Sequence, residues 1–171
     1  MCGLLGMLAA TGNVDKYVDA LERSLPCMRH RGPDAAGTWH DGDAAFGFNR
    51  LSIIDLEHSH QPLRWGPEDE PDRYAMTFNG EIYNYVELRE ELKGLGYTFH
   101  TEGDGEPIVV GYHHWGKDVV NHLRGMFGIV IWDTHTKTMF AARDQFGIKP
   151  LYYATTCLLY TSDAADEEDS V

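Results

Sequence analysis

Met126-Phe127-Gly128-Ile129-Val130-Ile131-Trp132 holds no polar side chain, so neither face of the strand it predicts can meet water. Four residues, Asp133-Thr134-His135-Thr136, lead into a second β-rich run at 137–142. So short a connector makes the two strands antiparallel. An antiparallel strand covered on both sides implies stacked layers, sheet against sheet with helices outside.

The flanking sequence supplies those layers. Residues 4–10 predict a strand that stops at Thr11-Gly12-Asn13. Residues 15–28 predict a helix with Tyr17, Val18, Leu21, Leu25 and Met28 on one stripe, ended early or kinked by Pro26. Residues 37–40 and 44–50 predict a hairpin around Asp41-Gly42. The polar, Pro-containing stretch 57–73 predicts a surface loop, and 73–78 a strand. Two further helices are expected: 84–95, with Tyr85, Leu88, Leu92 and Leu95 on one face, and one opening at Pro107, with Ile108, Val109, Tyr112 and Trp115 as its stripe.

The chain of 171 residues has a formal net charge of -13, which argues against nucleic acid or an anionic membrane as partner. Cys2, Cys27 and Cys157 form no C-x-x-C pair, which fits a reducing, cytoplasmic setting. His58, His60, His113 and His114 lack Asp or Cys partners at ligand spacing, so no metal site is expected. The segment 157–171 is expected to be a non-native or disordered acidic tail, its 157–167 portion resembling a translated sequencing adaptor.

Cys2 follows the initiator directly. Removal of Met1 would leave an α-amine, of pKa roughly 8, on the residue that carries the thiol. Nucleophile and general base would then share one residue. The plainer alternative is a small apolar residue on the first strand.

Behind Cys2 stand, in order, RHRGPD (29–34), FNRLSIID (48–55), HQPL (60–63), FNGEIYNY (78–85), Gly103-Asp104-Gly105 and RDQFGIKPLYY (143–153). In this order they resemble the glutaminase domain of glutamine-hydrolysing asparagine synthetases, a class II glutamine amidotransferase. The resemblance covers residues 2–156 and implies an incomplete domain of that type. It implies an α+β fold, the four-layer αββα sandwich of N-terminal-nucleophile hydrolases.

It also implies roles. Cys2 attacks the side-chain amide of glutamine, and Asn79 with Gly80 holds the oxyanion. Arg50 grips the substrate α-carboxylate, with Leu51, Ser52, Ile53 and Ile54 lining the pocket. Asp104 holds the α-ammonium and Glu81 stands beside it, while Arg31 in RHRGPD is supportive. Each has a plainer reading: Asn79-Gly80 a hairpin turn, Arg50 a surface arginine, Asp104 a turn residue.

The implied reaction is hydrolysis of glutamine to glutamate and ammonia. The ammonia passes to a synthetase domain outside this chain, where ATP and Mg are expected; no cofactor is expected within these residues, and a homodimer is the assembly considered for the longer protein. The alternatives are a related amidotransferase with another acceptor and a non-catalytic domain of the same fold.

Overall fold

The computed structural model describes residues 2–9, 13–51, 60–155 and 160–162. Strand β1 (Gly3–Leu8) is followed by helix α1 (Asp15–Ser24), which Pro26 converts to a tight 3-10 turn over Leu25–Met28. Hairpin β2 (Ala35–His40) and β3 (Ala44–Arg50) follows, then β4 (Leu63–Trp65) and β5 (Tyr74–Ile82). Helices α2 (Tyr85–Gly94) and α3 (Glu106–Trp115) precede β6 (Gly125–Asp133) and β7 (Thr138–Arg143). Short strands β8 (Ala154–Thr155) and β9 (Tyr160–Ser162) close the order.

Two sheets result, one ordered β2-β3-β1-β9-β8 and the other β4-β5-β6-β7. Every pairing in them is antiparallel. The period-2 alternation of each strand sorts its side chains between neighbouring layers. On β6, Val130 and Trp132 meet Leu4, Phe46 and Phe48 of the first sheet, while Phe127, Ile129 and Ile131 pack with Leu88, Leu92, Ile108 and Val109 of α2 and α3. On the far side of the first sheet, Ala45 packs under Val14 and Leu21 at α1. The order is thus α1, sheet, sheet, α2 with α3: the αββα sandwich. A polar tie also crosses the sheets, where Trp132 Nε1 donates to Asp41 Oδ2 at 2.7 Å.

Two local expectations need correction. Within the stretch read as a loop, Leu63 and Trp65 are buried on β4, paired with Met76 and Tyr74. Three alternating residues between prolines give too short a pattern to detect. The strand expected at 73–78 runs on to Ile82, so Asn79-Gly80 lies inside β5 rather than in a turn. In the segment 157–171, Tyr160–Ser162 pair with β1 and β8; residues 156–159 and 163–171 lie outside the described residues.

Candidate active site

The face of β1 that carries Leu4 toward the second sheet also carries Cys2. By the same alternation Arg50, two residues after Phe48, and Asn79, four after Ala75, lie on inter-sheet faces. The two sheets therefore bring Cys2, Arg50 and Asn79 to one seam.

Cys2 is half-buried and bracketed by one residue. The Leu51 N–H donates to Cys2 Sγ at 3.3 Å, and the thiol faces the Leu51 carbonyl at 3.6 Å. Antiparallel pairing of Gly3 with Asn49 sets this register. Burial pushes the thiol pKa up, and the Asp104 charge adds to that. The Leu51 N–H and the Arg50 guanidinium act in the opposite direction without overcoming it. Arg50 itself is buried at the end of β3.

Asp104 reaches the end of β5, where its Oδ2 accepts the Ile82 N–H at 3.0 Å. Burial raises its pKa, that backbone bond opposes the rise, and Glu81 nearby adds to it. Asn79 is 5% exposed. At Gly80 a Cβ would stand 2.0 Å from the Met126 carbonyl oxygen and 2.8 Å from Phe127 Cα. Close approach of β6, not a turn, demands glycine there.

The loop motifs hold this seam together. A Cβ on Gly32 would lie 2.3 Å from the Asn49 carbonyl oxygen, and one on Gly3 would lie 3.3 and 3.4 Å from the Cβ atoms of Met28 and Arg31. RHRGPD thus presses on both the Cys2 end of β1 and the Arg50 end of β3. Asn49 Nδ2 adds a 2.6 Å bond to the Leu25 carbonyl.

HQPL conceals a residue that the sequence reading passed over. Gln61, which precedes a cis peptide bond to Pro62, pairs its side-chain amide with the Phe78 backbone. Its Nε2 donates to Phe78 O at 3.1 Å, and Phe78 N–H donates to its Oε1 at 2.7 Å. The amide imitates a strand neighbour one residue before Asn79.

Leu51, Arg50, Asp104 and Glu81 are thus gathered about Cys2 and the end of β5. Ser52, Ile53 and Ile54 lie outside the described residues. Among the described residues, no group of three or more His, Cys, Asp or Glu is arranged to hold a metal ion. His113 and His114 engage the hydroxyls of Tyr74 and Tyr97, each at 3.1 Å.

A family model described as a glutamine amidotransferase domain matches residues 1–166. The chain belongs to the glutamine amidotransferase domain family. It is 57% identical over 166 residues to a Mycobacterium tuberculosis protein provisionally named a glutamine-hydrolysing asparagine synthetase, covering 91% of this chain and 26% of that protein. Asparagine synthetase 1 of Bacillus subtilis, also named glutamine-hydrolysing, is 45% identical over 160 residues, 91% of this chain and 24% of its own length. An amidase of Gibberella zeae is 36% identical over 165 residues, 90% of this chain and 24% of its own. The domain therefore spans about a quarter of the length of these relatives. Among solved structures, the glutamine phosphoribosylpyrophosphate amidotransferase of B. subtilis superposes with a TM-score of 0.73 at 20% identity, over 95% of this chain and 42% of that one. That likeness shows the shared N-terminal-nucleophile fold. No described helix is long and apolar enough to cross a membrane.

Proposed function

We propose that this amidotransferase domain hydrolyses glutamine to glutamate and ammonia, with Cys2 as nucleophile once Met1 has been removed. The observation that carries the reading is the half-buried Cys2 thiol, bracketed by Leu51 and acted on by the opposite charges of Arg50 and Asp104.

The α-amine freed on Cys2 takes the thiol proton, and the thiolate attacks the side-chain amide carbon of glutamine. The oxygen of the tetrahedral intermediate rests on the Asn79 amide and the Gly80 N–H; loss of one such donor typically costs about 3 kcal/mol in the barrier. The Cys2 ammonium returns its proton to the departing nitrogen, ammonia leaves, and water cleaves the thioester to glutamate. Arg50 pairs with the substrate α-carboxylate through its planar fork. Asp104 pairs with the α-ammonium, whose positive charge offsets the burial that raises the Asp104 pKa. A nucleophilic thiol of this kind suits a reducing compartment such as the cytoplasm.

We further propose that the ammonia serves asparagine synthesis, with ATP and Mg used in the part of the longer relatives that this chain does not span. The amidase among the relatives keeps a second reading, the same glutaminase chemistry serving another acceptor. Glutamate release by the methionine-processed chain tests the glutaminase step. Cys2→Ala should abolish it and Cys2→Ser should nearly do so, with unchanged thermal unfolding. Wild-type turnover in Cys2→Ala would refute the assignment.

A further inference from the structure

In its loop Asp104 stands between two glycines, the residue type that by itself restrains the backbone least. The Ile82 N–H donates to its carboxylate from the end of β5. A carboxylate that must meet a small cation at a fixed point needs more support than that. The loop receives it from two buried ionic side chains that take no part in the chemistry above.

Glu106, the first residue of α3, has a side chain that is 2% exposed. It does not cap its own helix but turns back onto the loop. Its oxygens accept the His100 N–H at 2.9 and 3.0 Å, His100 Nδ1 at 3.1 Å, the Thr101 N–H at 2.7 Å and the Thr101 hydroxyl at 2.8 Å. Arg89 of α2, 5% exposed, takes the loop from its acceptor side. Its Nη1 donates to Thr101 O at 2.6 Å and to the exposed Glu102 at 2.9 Å, and its Nη2 donates to Gly103 O at 2.7 Å. Between them the two side chains satisfy backbone groups at 100, 101 and 103. The loop enters Asp104 already fixed, and the ordering cost falls at folding rather than at substrate binding.

We propose that Arg89 and Glu106 are positioning residues, which set the Asp104 carboxylate for the substrate α-ammonium by clamping loop 100–104 from its donor and acceptor sides. This rests on the reading of Asp104 given under Proposed function. The planar fork of Arg89 is essential, because it spans carbonyls two residues apart and a lysine ammonium cannot.

The test measures binding in a Cys2→Ala background, so that no turnover intervenes. Calorimetry would give dissociation constants for glutamine and for 4-carbamoylbutanoate, which is glutamine without its α-amine. The ratio of the two reports how well the ammonium is read, and a merely structural loss would weaken both ligands alike. Arg89→Lys should weaken glutamine by about 10- to 100-fold, as a misplacement on the order of 1 Å does, and leave the des-amino ligand within about twofold of its starting value. Glu106→Gln, which turns an N–H toward the loop donors, should do the same, and serves if Arg89→Lys fails to fold. Glu102→Ala, which removes the exposed ion pair with Arg89 and leaves the Arg89 bonds to the loop carbonyls in place, should leave the ratio unchanged.

Asp104→Ala separates the two levels of the account. If it collapses the ratio while Arg89→Lys and Glu106→Gln leave it intact, or weaken both ligands equally, the positioning proposal is overturned and the reading of Asp104 stands. An unchanged ratio in Asp104→Ala overturns both.

Discussion

Two aspartates in glycine-containing loops, Asp104 and Asp144, were placed by the fold in opposite electrostatic states. Burial disfavours the charge on each. Asp144 overcomes it, because its carboxylate accepts the N–H groups of Lys149, Ile148, Phe127 and Phe146 at 2.9 to 3.2 Å, and its pKa falls below the usual carboxylate range. Asp104 has the Ile82 N–H and its own backbone, with Glu81 opposing, and its pKa rises. A carboxylate whose acceptor sites are filled builds a loop; one left short of donors retains capacity for a ligand cation. Asp144 closes the turn between β7 and Pro150, aided by Arg143 bonds to the Lys149 and Gly147 carbonyls. Asp104 faces Cys2.

The largest expected effect is on ligand binding. Asp104→Asn should weaken glutamine by on the order of 2–5 kcal/mol, since the bound ammonium loses its mate. Asp144→Asn should change that affinity little. Equal losses would erase the distinction. Arg50→Met combined with Asp104→Asn should lose less than the sum of the single changes, because both charges hold one zwitterion; strict additivity would argue against a shared ligand.

Stability should run the other way. Asp144→Asn leaves buried N–H groups short of acceptors and should cost about 1–3 kcal/mol in chemical denaturation near pH 7. Asp104→Asn should be neutral or stabilising in the ligand-free chain, because a buried charge is removed.

The smallest effect is in the pH profile. The lowered Asp144 pKa contributes stability that is present above the unfolded value of about 3.9 and is lost as pH falls through the folded value. Asp104 has the opposite sign: its raised pKa costs stability as pH rises from the unfolded value through the folded one. Asp144→Asn should therefore flatten the acid limb of a melting-temperature profile, and Asp104→Asn should not.

How much of this was legible in the sequence depended on the range of the cause. The unbroken apolar run of β6, the end of α1 at Pro26 and the alternation of β3 are written in adjacent residues, and they were enough for the layered fold. Cys2 stands out by its place behind the initiator, but a small apolar residue on the first strand reads as well there, and its role as nucleophile came through the resemblance. Arg50 and Asp104 came only through resemblance, because an arginine after a strand and an aspartate between glycines have ordinary uses. Gly80 misleads locally: Asn-Gly favours a turn, yet the glycine is required by a carbonyl 46 residues later, at Met126. Gln61, Arg89 and Glu106 were illegible for the same reason, since each acts on backbone atoms that only the fold brings near.

The proposed hydrolysis depends on Cys2 as an N-terminal nucleophile. Acid quenching of the chain during glutamine turnover, followed by intact and peptide mass spectrometry, tests it most directly. The predicted result is a glutamyl mass on a peptide that begins at Cys2, absent from Cys2→Ala. Full turnover by a chain that retains Met1, or a glutamyl group on another residue, would contradict it.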